Sequence, residues 1–317
     1  MSVYVHPDLE PVLAGLPERS MFGDIPRARE GMRRAMSTRA PYDDPRLSIE
    51  DAVATPAPGA DGSGVPVRIY RPAGAAGALP AVLFFHGGGF VLGDLDSGDR
   101  NCAHMCVETG AVVIAVDYRL APEHPCPAAL TDAWTALHWT SARAAELGVD
   151  PGRIALSGHS AGACLAAGLT LRARDEGGPA IAFQQLLLPA LDDRADGGSR
   201  AEIDDPRLLN GASVAQIWEM YLGSGSVEAP VYAIPARAKD LSGLPPAYVQ
   251  VAGADPLRDE GLAYARRLVD HQVGVELHFV PGAFHLFEDW APATELARST
   301  VAHWTRALRD ALGGSGK

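Results

Sequence analysis

The sequence predicts an α/β fold, a mostly parallel central sheet flanked by helices and overlain by a helical cap. Three observations carry that prediction. Apolar runs of strand length, at 81–85, 111–116, 181–188 and 247–252 and in the run that ends at Ser157, read as strands buried on both faces. Stretches of helical length separate most of them, which calls for parallel neighbours joined by right-handed crossovers. The residue types that carry chemistry, Ser160, Asp255 and His285, each follow one of these strands or a later one, where ligands bind in open parallel sheets.

Bulk composition narrows the function classes. The chain has 317 residues, 47% hydrophobic and 21% charged, enough for a substantial core. A net charge of -12, with lysine only at Lys239 and Lys317, argues against nucleic acid and against anionic membrane as partners, since both require a cationic face. The first residues carry no cationic and apolar leader, and no run of about 18 apolar residues follows. A soluble, cytoplasmic protein is expected. Cys102, Cys106, Cys126 and Cys164 lack CxxC spacing and read as reduced thiols. Cys102, His104 and Cys106 invite a metal reading, but on a helix the two cysteines share a face that the histidine does not, so no metal is expected. The oligomeric state is left open, a homodimer included.

Along the chain, residues 1–45 carry apolar positions at loose helical spacing, broken by Pro11, Pro17 and Pro26, and read as short helices forming the first part of a cap. Residues 46–190 form the first part of the core. They open with a hairpin, 49–55 and 65–71, around a Pro/Gly-rich loop expected to be mobile. The strand 81–85 follows, then a helix over 101–109, the strand 111–116, a dense loop from Asp117 to Pro127, a long helix over 128–147, the strand before Ser160, a helix to Arg174, and the strand 181–188. The loop reads as structural, fixed by its prolines and by ion pairs. At 191–229 the alternation stops, giving an acidic stretch and an amphipathic helix over 213–222, a usual place for a lid and the second part of the cap. Residues 230–317 complete the core with a strand at 247–252, a helix over 257–271, a strand at 275–280 and a final helix over 291–312.

The chemistry centres on Gly158-His159-Ser160-Ala161-Gly162, which turns a strand sharply into a helix. Glycines two before and two after Ser160 permit the strained elbow that lifts its hydroxyl above the sheet edge, facing the positive end of the next helix. A serine hydroxyl needs an imidazole to take its proton and a carboxylate to orient that imidazole. His285 lies between Phe284 and Phe287 and takes the first role; Asp255 takes the second, although Asp before Pro256 is also a good helix cap, with Asp259 and Glu260 in reserve. His86-Gly87-Gly88-Gly89-Phe90, at the end of a buried strand, can aim backbone N–H groups at a small anion. No lysine follows in phosphate-loop spacing. His86 is placed to brace this loop, while His159 points elsewhere.

With these segments, Asp117-Tyr118-Arg119-Leu120-Ala121-Pro122-Glu123-His124-Pro125 and Asp255-Pro256-Leu257-Arg258-Asp259 included, the chain resembles the hormone-sensitive-lipase-like family of α/β-hydrolases from about Val65 to its end. The resemblance implies an α/β-hydrolase core with a helical cap, hydrolysis of small carboxylic esters, and no cofactor. It implies Ser160 as nucleophile, His285 as base, Asp255 as its orienter, and the amides of Gly88, Gly89 and Ala161 as oxyanion donors. Two positions depart from the family pattern: His159 stands where Asp is usual and Ala163 where Gly is usual. The elbow also looks like that of kynurenine-formamidase-type amidases.

The leading expectation is therefore a serine carboxylesterase acting on small to medium esters or lactones, with an amidase, deacetylase or acyltransferase as the alternative on the same residues. A non-catalytic small-molecule receptor is a third reading, opposed by the presence of His285. Met32, Met36, Ile217, Trp218 and Tyr221 are candidates for an apolar substrate pocket in the cap.

Overall fold

A computed structural model of the protein describes residues 3–18, 22–37, 42, 44–56, 64–194, 197–223 and 229–313. The elements, in chain order, are α1 (Glu10–Gly15), α2 (Ile25–Ser37), β1 (Leu47–Ala54), β2 (Val65–Pro72), β3 (Leu79–Phe85), α3 (Asp99–Thr109), β4 (Val112–Val116), α4 (Ala128–Ala142), β5 (Val149–His159), α5 (Ala161–Glu176), β6 (Phe183–Leu187), α6 (Ser199–Glu202), α7 (Gly211–Leu222), β7 (Ala247–Ala254), α8 (Arg258–Asp270), β8 (Val275–Phe284), α9 (Phe287–Trp290) and α10 (Glu295–Ala311).

One eight-stranded sheet runs in the order β1-β2-β4-β3-β5-β6-β7-β8. The pairs β1/β2 and β2/β4 are antiparallel. Every pair from β4/β3 to β7/β8 is parallel. The continuous apolar sequences lie in the middle of the sheet, where β3, β4 and β6 are buried nearly throughout, because helices cover both faces there. The edge strands differ: β1 is largely exposed, and Leu277 and Phe279 of β8 are open to solvent. Among the described residues no helix is long and apolar enough to cross a membrane.

Several element ends depart from the sequence reading. The helix expected to reach residue 147 ends at Ala142; the chain leaves helical geometry at Arg143 and turns through Gly148, whose φ of 57° is left-handed, to enter β5. The final helix begins at Glu295 and not at 291. Pro292 disfavours helical geometry at Ala291, and the Thr294 side chain caps the Ala297 amide instead. The acidic stretch holds a short helix, α6, that the sequence did not signal. Most of the hairpin loop expected to be mobile, residues 57–63, lies outside the described residues.

The two segments expected to form a cap both touch the carboxyl edge of the sheet. Leu9 and Leu13, at α1, share an apolar cluster with Phe284 and Phe287 on either side of His285. Arg29 of α2 donates to the carbonyls of Val91 and Ala121 at 2.8 Å each and pairs with Glu123. In α7, Ile217, Trp218 and Tyr221 face inward at helical spacing, and the Tyr221 carbonyl accepts from the Cys126 amide.

Candidate active site

Ser160 sits between β5 and α5 with φ 55° and ψ -116°, a strained region for a residue with a Cβ. The flanking glycines make room for that turn. A Cβ on Gly158 would lie 2.4 Å from Gly162 backbone atoms, and one on Gly162 would lie 2.0 Å from the Phe85 carbonyl oxygen. The Ser160 amide donates to Leu187 O at 2.8 Å, tying the turn to the end of β6.

Residues far apart in sequence converge on this hydroxyl. His285 Nδ1 lies 2.7 Å from Asp255 Oδ2, and His285 Nε2 lies 2.9 Å from Ser160 Oγ. With the Nδ1 proton donated to the carboxylate, Nε2 accepts from the serine O–H. Asp255 is 1% exposed and Ser160 is 5% exposed, so the chain of hydrogen bonds is shielded from competing water. Asp255 does not cap α8, whose N-cap is Leu257, but closes the turn just ahead of it: its Oδ1 accepts from the Leu257 amide at 2.9 Å. The reserve acids stand elsewhere. Asp259 exchanges hydrogen bonds with Ser199, and Glu260 pairs with Arg200.

On the other side of Ser160, Gly88 and Gly89 adopt φ of 117° and 62°. Among the described residues the amides of Gly88, Gly89 and Ala161 have no hydrogen-bond acceptor. The loop is braced as expected by His86, whose ring stacks on Tyr118 with centroids 4.3 Å apart and whose Nδ1 bonds Gly87 O at 2.7 Å. Tyr118 O–H donates to His86 O at 2.8 Å. Burial lowers the His86 pKa, so the brace stays neutral. The loop from Asp117 is fixed by ion pairs: Arg119 grips the buried Asp132, and Glu123 meets Arg29.

His159, the departure beside the nucleophile, is buried edge-on against Phe84, with ring centroids 5.7 Å apart. Its pKa is depressed to about 4, chiefly by burial and then by the charge His285 can carry. With that pKa the ring is neutral near pH 7.

The pocket candidates divide. Ile217 covers the glycine loop so closely that a Cβ on Gly89 would meet it at 2.8 Å. Trp218 and Tyr221 pack on Phe90, the latter stacked with centroids 3.7 Å apart. Met32 lies half-buried against the main core. Met36 lines a separate depression with Tyr42, Ile49, Arg68 and Asp99, none of them beside Ser160. Cys102 and Cys106 face the core and His104 meets Thr305, as helical geometry predicts. Among the described residues no cluster of three or more potential ligands could hold a metal ion.

Two contributors went unread in the sequence. Phe90, the residue after the three glycines, takes a left-handed φ of 61° and carries the stack with Tyr221; its place in the glycine motif was the available signal. Arg29 locks α2 onto the loops around the site across 62 residues or more, and nothing in local sequence announces such a contact.

This arrangement can activate a hydroxyl and hold a transient oxyanion, and the comparisons with known proteins agree with that chemistry. The family profile described as the alpha/beta hydrolase fold matches residues 82–289. Esterase LipI of Mycobacterium tuberculosis is 39% identical over 316 residues, covering 98% of this chain and 96% of its own. Carboxylesterase NlhH of the same organism is 38% identical over 315 residues, covering 96% and 97%. Among solved structures, Bacterial Heroin Esterase superposes with a TM-score of 0.92 at 39% identity, covering 98% of each chain. Esterase LipW from Mycobacterium marinum superposes with a TM-score of 0.86 at 38% identity, covering 97% of this chain and 96% of its own.

Proposed function

We propose, from the premise that this chain belongs to the hormone-sensitive-lipase-like carboxylesterases of the α/β-hydrolase family, that Ser160 cleaves small to medium carboxylic esters or lactones through an acyl-enzyme. The protein is a serine ester hydrolase; the roles of individual residues and the size of the substrate are the proposal. What carries it is the unbroken line from Asp255 Oδ2 through His285 to Ser160 Oγ, at 2.7 and 2.9 Å.

As Ser160 Oγ bonds to the ester carbon, its proton passes to His285 Nε2, and Asp255 stabilises the imidazolium that forms. The carbonyl oxygen becomes an oxyanion facing the amides of Gly88, Gly89 and Ala161, with the start of α5 adding its positive dipole end. Collapse of this intermediate breaks the ester C–O bond, and the departing alkoxide takes the proton from His285. Water then attacks the acyl-enzyme by the same route and releases the acid.

Ile217 over Gly89 favours compact acyl or alcohol groups, and Trp218 and Tyr221 keep that side apolar. In this reading α1, α2 and 191–229 together form the cap. Four free cysteines support a reducing compartment such as the cytoplasm. The test is hydrolysis of short p-nitrophenyl esters, with covalent labelling of Ser160 by a fluorophosphonate. Both should vanish in Ser160→Ala; an unlabelled, inactive wild type would refute the assignment, and faster turnover of an aryl formamide than of any ester would move it to amide hydrolysis.

A further inference from the structure

We propose that Glu288 is a positioning residue for His285: a buried carboxyl group that holds its proton below neutral pH and then pairs face to face with the side-chain amide of Gln250. The proposal rests on His285 being the base. Glu288 lies three residues beyond it, in the single turn of α9. The turn between them passes through Leu286 at φ 55°, a left-handed geometry that a leucine holds only when its surroundings fix it. Phe287 anchors this turn on the apolar side, among Leu9, Leu13 and Phe284. The polar anchor is Gln250 Nε2, which donates to Glu288 Oε1 at 2.5 Å.

Gln250 is placed to give that anchor meaning. It is fully buried in β7, opposite Leu187 of β6 and His278 of β8. Its backbone carbonyl accepts from the Leu188 amide, and the neighbouring Leu187 carbonyl accepts from the Ser160 amide. The segment that carries the imidazole is thus referenced to the same strand end that holds the nucleophile. Asp255 fixes the orientation of the ring; the Glu288–Gln250 pair fixes the main chain from which the ring projects.

The proton follows from counting donors. Gln250 Oε1 and Glu288 Oε2 are both shut off from solvent, and neither has a donor among the described residues. An ionised carboxylate supplies none; a protonated one turns two stranded acceptors into a second hydrogen bond of an acid–amide pair. The titratable groups facing Glu288 are His285 and Asp289 on its own segment and Tyr248 on β7, whose hydroxyl is held between His278 of β8 and His303 of α10. Burial outweighs the pull of Gln250 and of a charged His285, pushing the carboxyl pKa up to about 7. A neutral group also suits the site, because a second negative charge beside His285 would hold a proton on the ring and disable the base.

The test joins infrared spectroscopy to pH-dependent kinetics. The wild-type-minus-Glu288→Gln infrared difference spectrum at pH 6 should show the C=O stretch of one protonated carboxyl, shifted in D2O. Glu288→Gln, which preserves a two-bond pair, should keep the acid limb of kcat/KM where wild type has it. Glu288→Leu should lower kcat on the order of 10- to 100-fold with KM little changed, the expected result of a misplaced base. Absence of the protonated band, a Glu288→Gln acid limb displaced to lower pH, or full kcat in Glu288→Leu would each overturn the proposal. Should the leucine variant fail to fold, the band and the acid limb still decide it. Loss of activity in Ser160→Ala and His285→Ala alongside a fully active Glu288→Leu would defeat Glu288 alone; an active Ser160→Ala would defeat the site assignment beneath it.

Discussion

Asp255 divides its two oxygens between tasks that mutation can separate. Oδ2 meets His285 while Oδ1 closes the turn leading into α8 at the Leu257 amide. Asn at this position keeps an oxygen for that turn but removes the charge that steadies the imidazolium, so Asp255→Asn should lower kcat by about 10⁴-fold with the melting temperature nearly unchanged. Asp255→Ala should lose the same activity and about 1 kcal/mol of stability as well. Turnover and thermal melts on both variants check the division; equal melting losses in the two would show that the turn's hydrogen bond contributes nothing. Ile217 offers a second test at this scale. Trimming it uncovers Gly89, and Ile217→Ala should raise kcat/KM for longer acyl esters relative to acetate by about tenfold, the order expected from pocket methylenes. A substrate series of increasing chain length reads the change. Ser160, Asp255 and His285 were legible because each stands where an apolar run breaks into glycine or proline. Arg29 was not, since its partners lie far along the chain, and apolar helical spacing alone does not say which surface a helix will cover, as Met36 in its separate depression illustrates.

At the scale of elements, the insertion after β6 is fastened to the helix that begins beside Asp255. Ser199 and Asp259 exchange hydrogen bonds, Ser199 Oγ donates to Pro256 O, and Arg200 pairs with Glu260 at 2.7 Å with both side chains nearly inaccessible. Glu260 also accepts from the Leu191 amide, so one carboxylate holds the end of the sheet segment and α6 together. Removing one partner of a buried pair usually costs about 3 to 5 kcal/mol. Glu260 has a partial escape, because burial pushes its pKa up to about 7 even with Arg200 present. A carboxyl stranded by Arg200→Met can take up a proton. The loss should therefore fall at the lower end of that range at pH 7 and shrink at pH 5, as denaturant melts at the two values would reveal; a larger loss at pH 5 would contradict it. The sequence reading had the sheet strands and their mostly parallel pairing, since period and composition mark buried strands directly; the order in which they lie side by side it did not give. It missed α6, a single turn whose stability comes from Glu260 and Asp259, about sixty residues away, and it overran α4 and α10, whose ends are set by Gly148 and by Pro292 with Thr294.

For the molecule as a whole, a buried sheet surrounded by titratable groups makes stability a function of pH, with contributions of opposite sign. Glu288 and Asp117 have pKa values raised by burial, to about 7 and about 6. The folded chain binds protons there that the unfolded chain releases, so their contribution is complete below the ordinary carboxylate range and disappears as pH rises through 6 to 7. His86, His104, His138, His159 and His278 are shifted down, chiefly by burial. Their contribution is complete above the unfolded histidine pKa and drains away as pH falls. His159 has the largest lever, from 6.5 down to about 4. At pH 5 the unfolded imidazole is charged while the folded one is still mostly neutral, a difference of about 2 kcal/mol against folding. His159→Asn removes this titration while leaving a polar group of similar shape beside Phe84. The variant should be less stable than wild type at pH 7.5, through poorer packing, and the gap should narrow by about 2 kcal/mol on going to pH 5. Because Glu288, Asp117 and the other histidines are common to both chains, the difference between the two curves isolates His159. Parallel curves would mean that this imidazole, one residue from the nucleophile, takes up its proton inside the fold as readily as in the unfolded chain, and that burial against Phe84 does not keep it neutral.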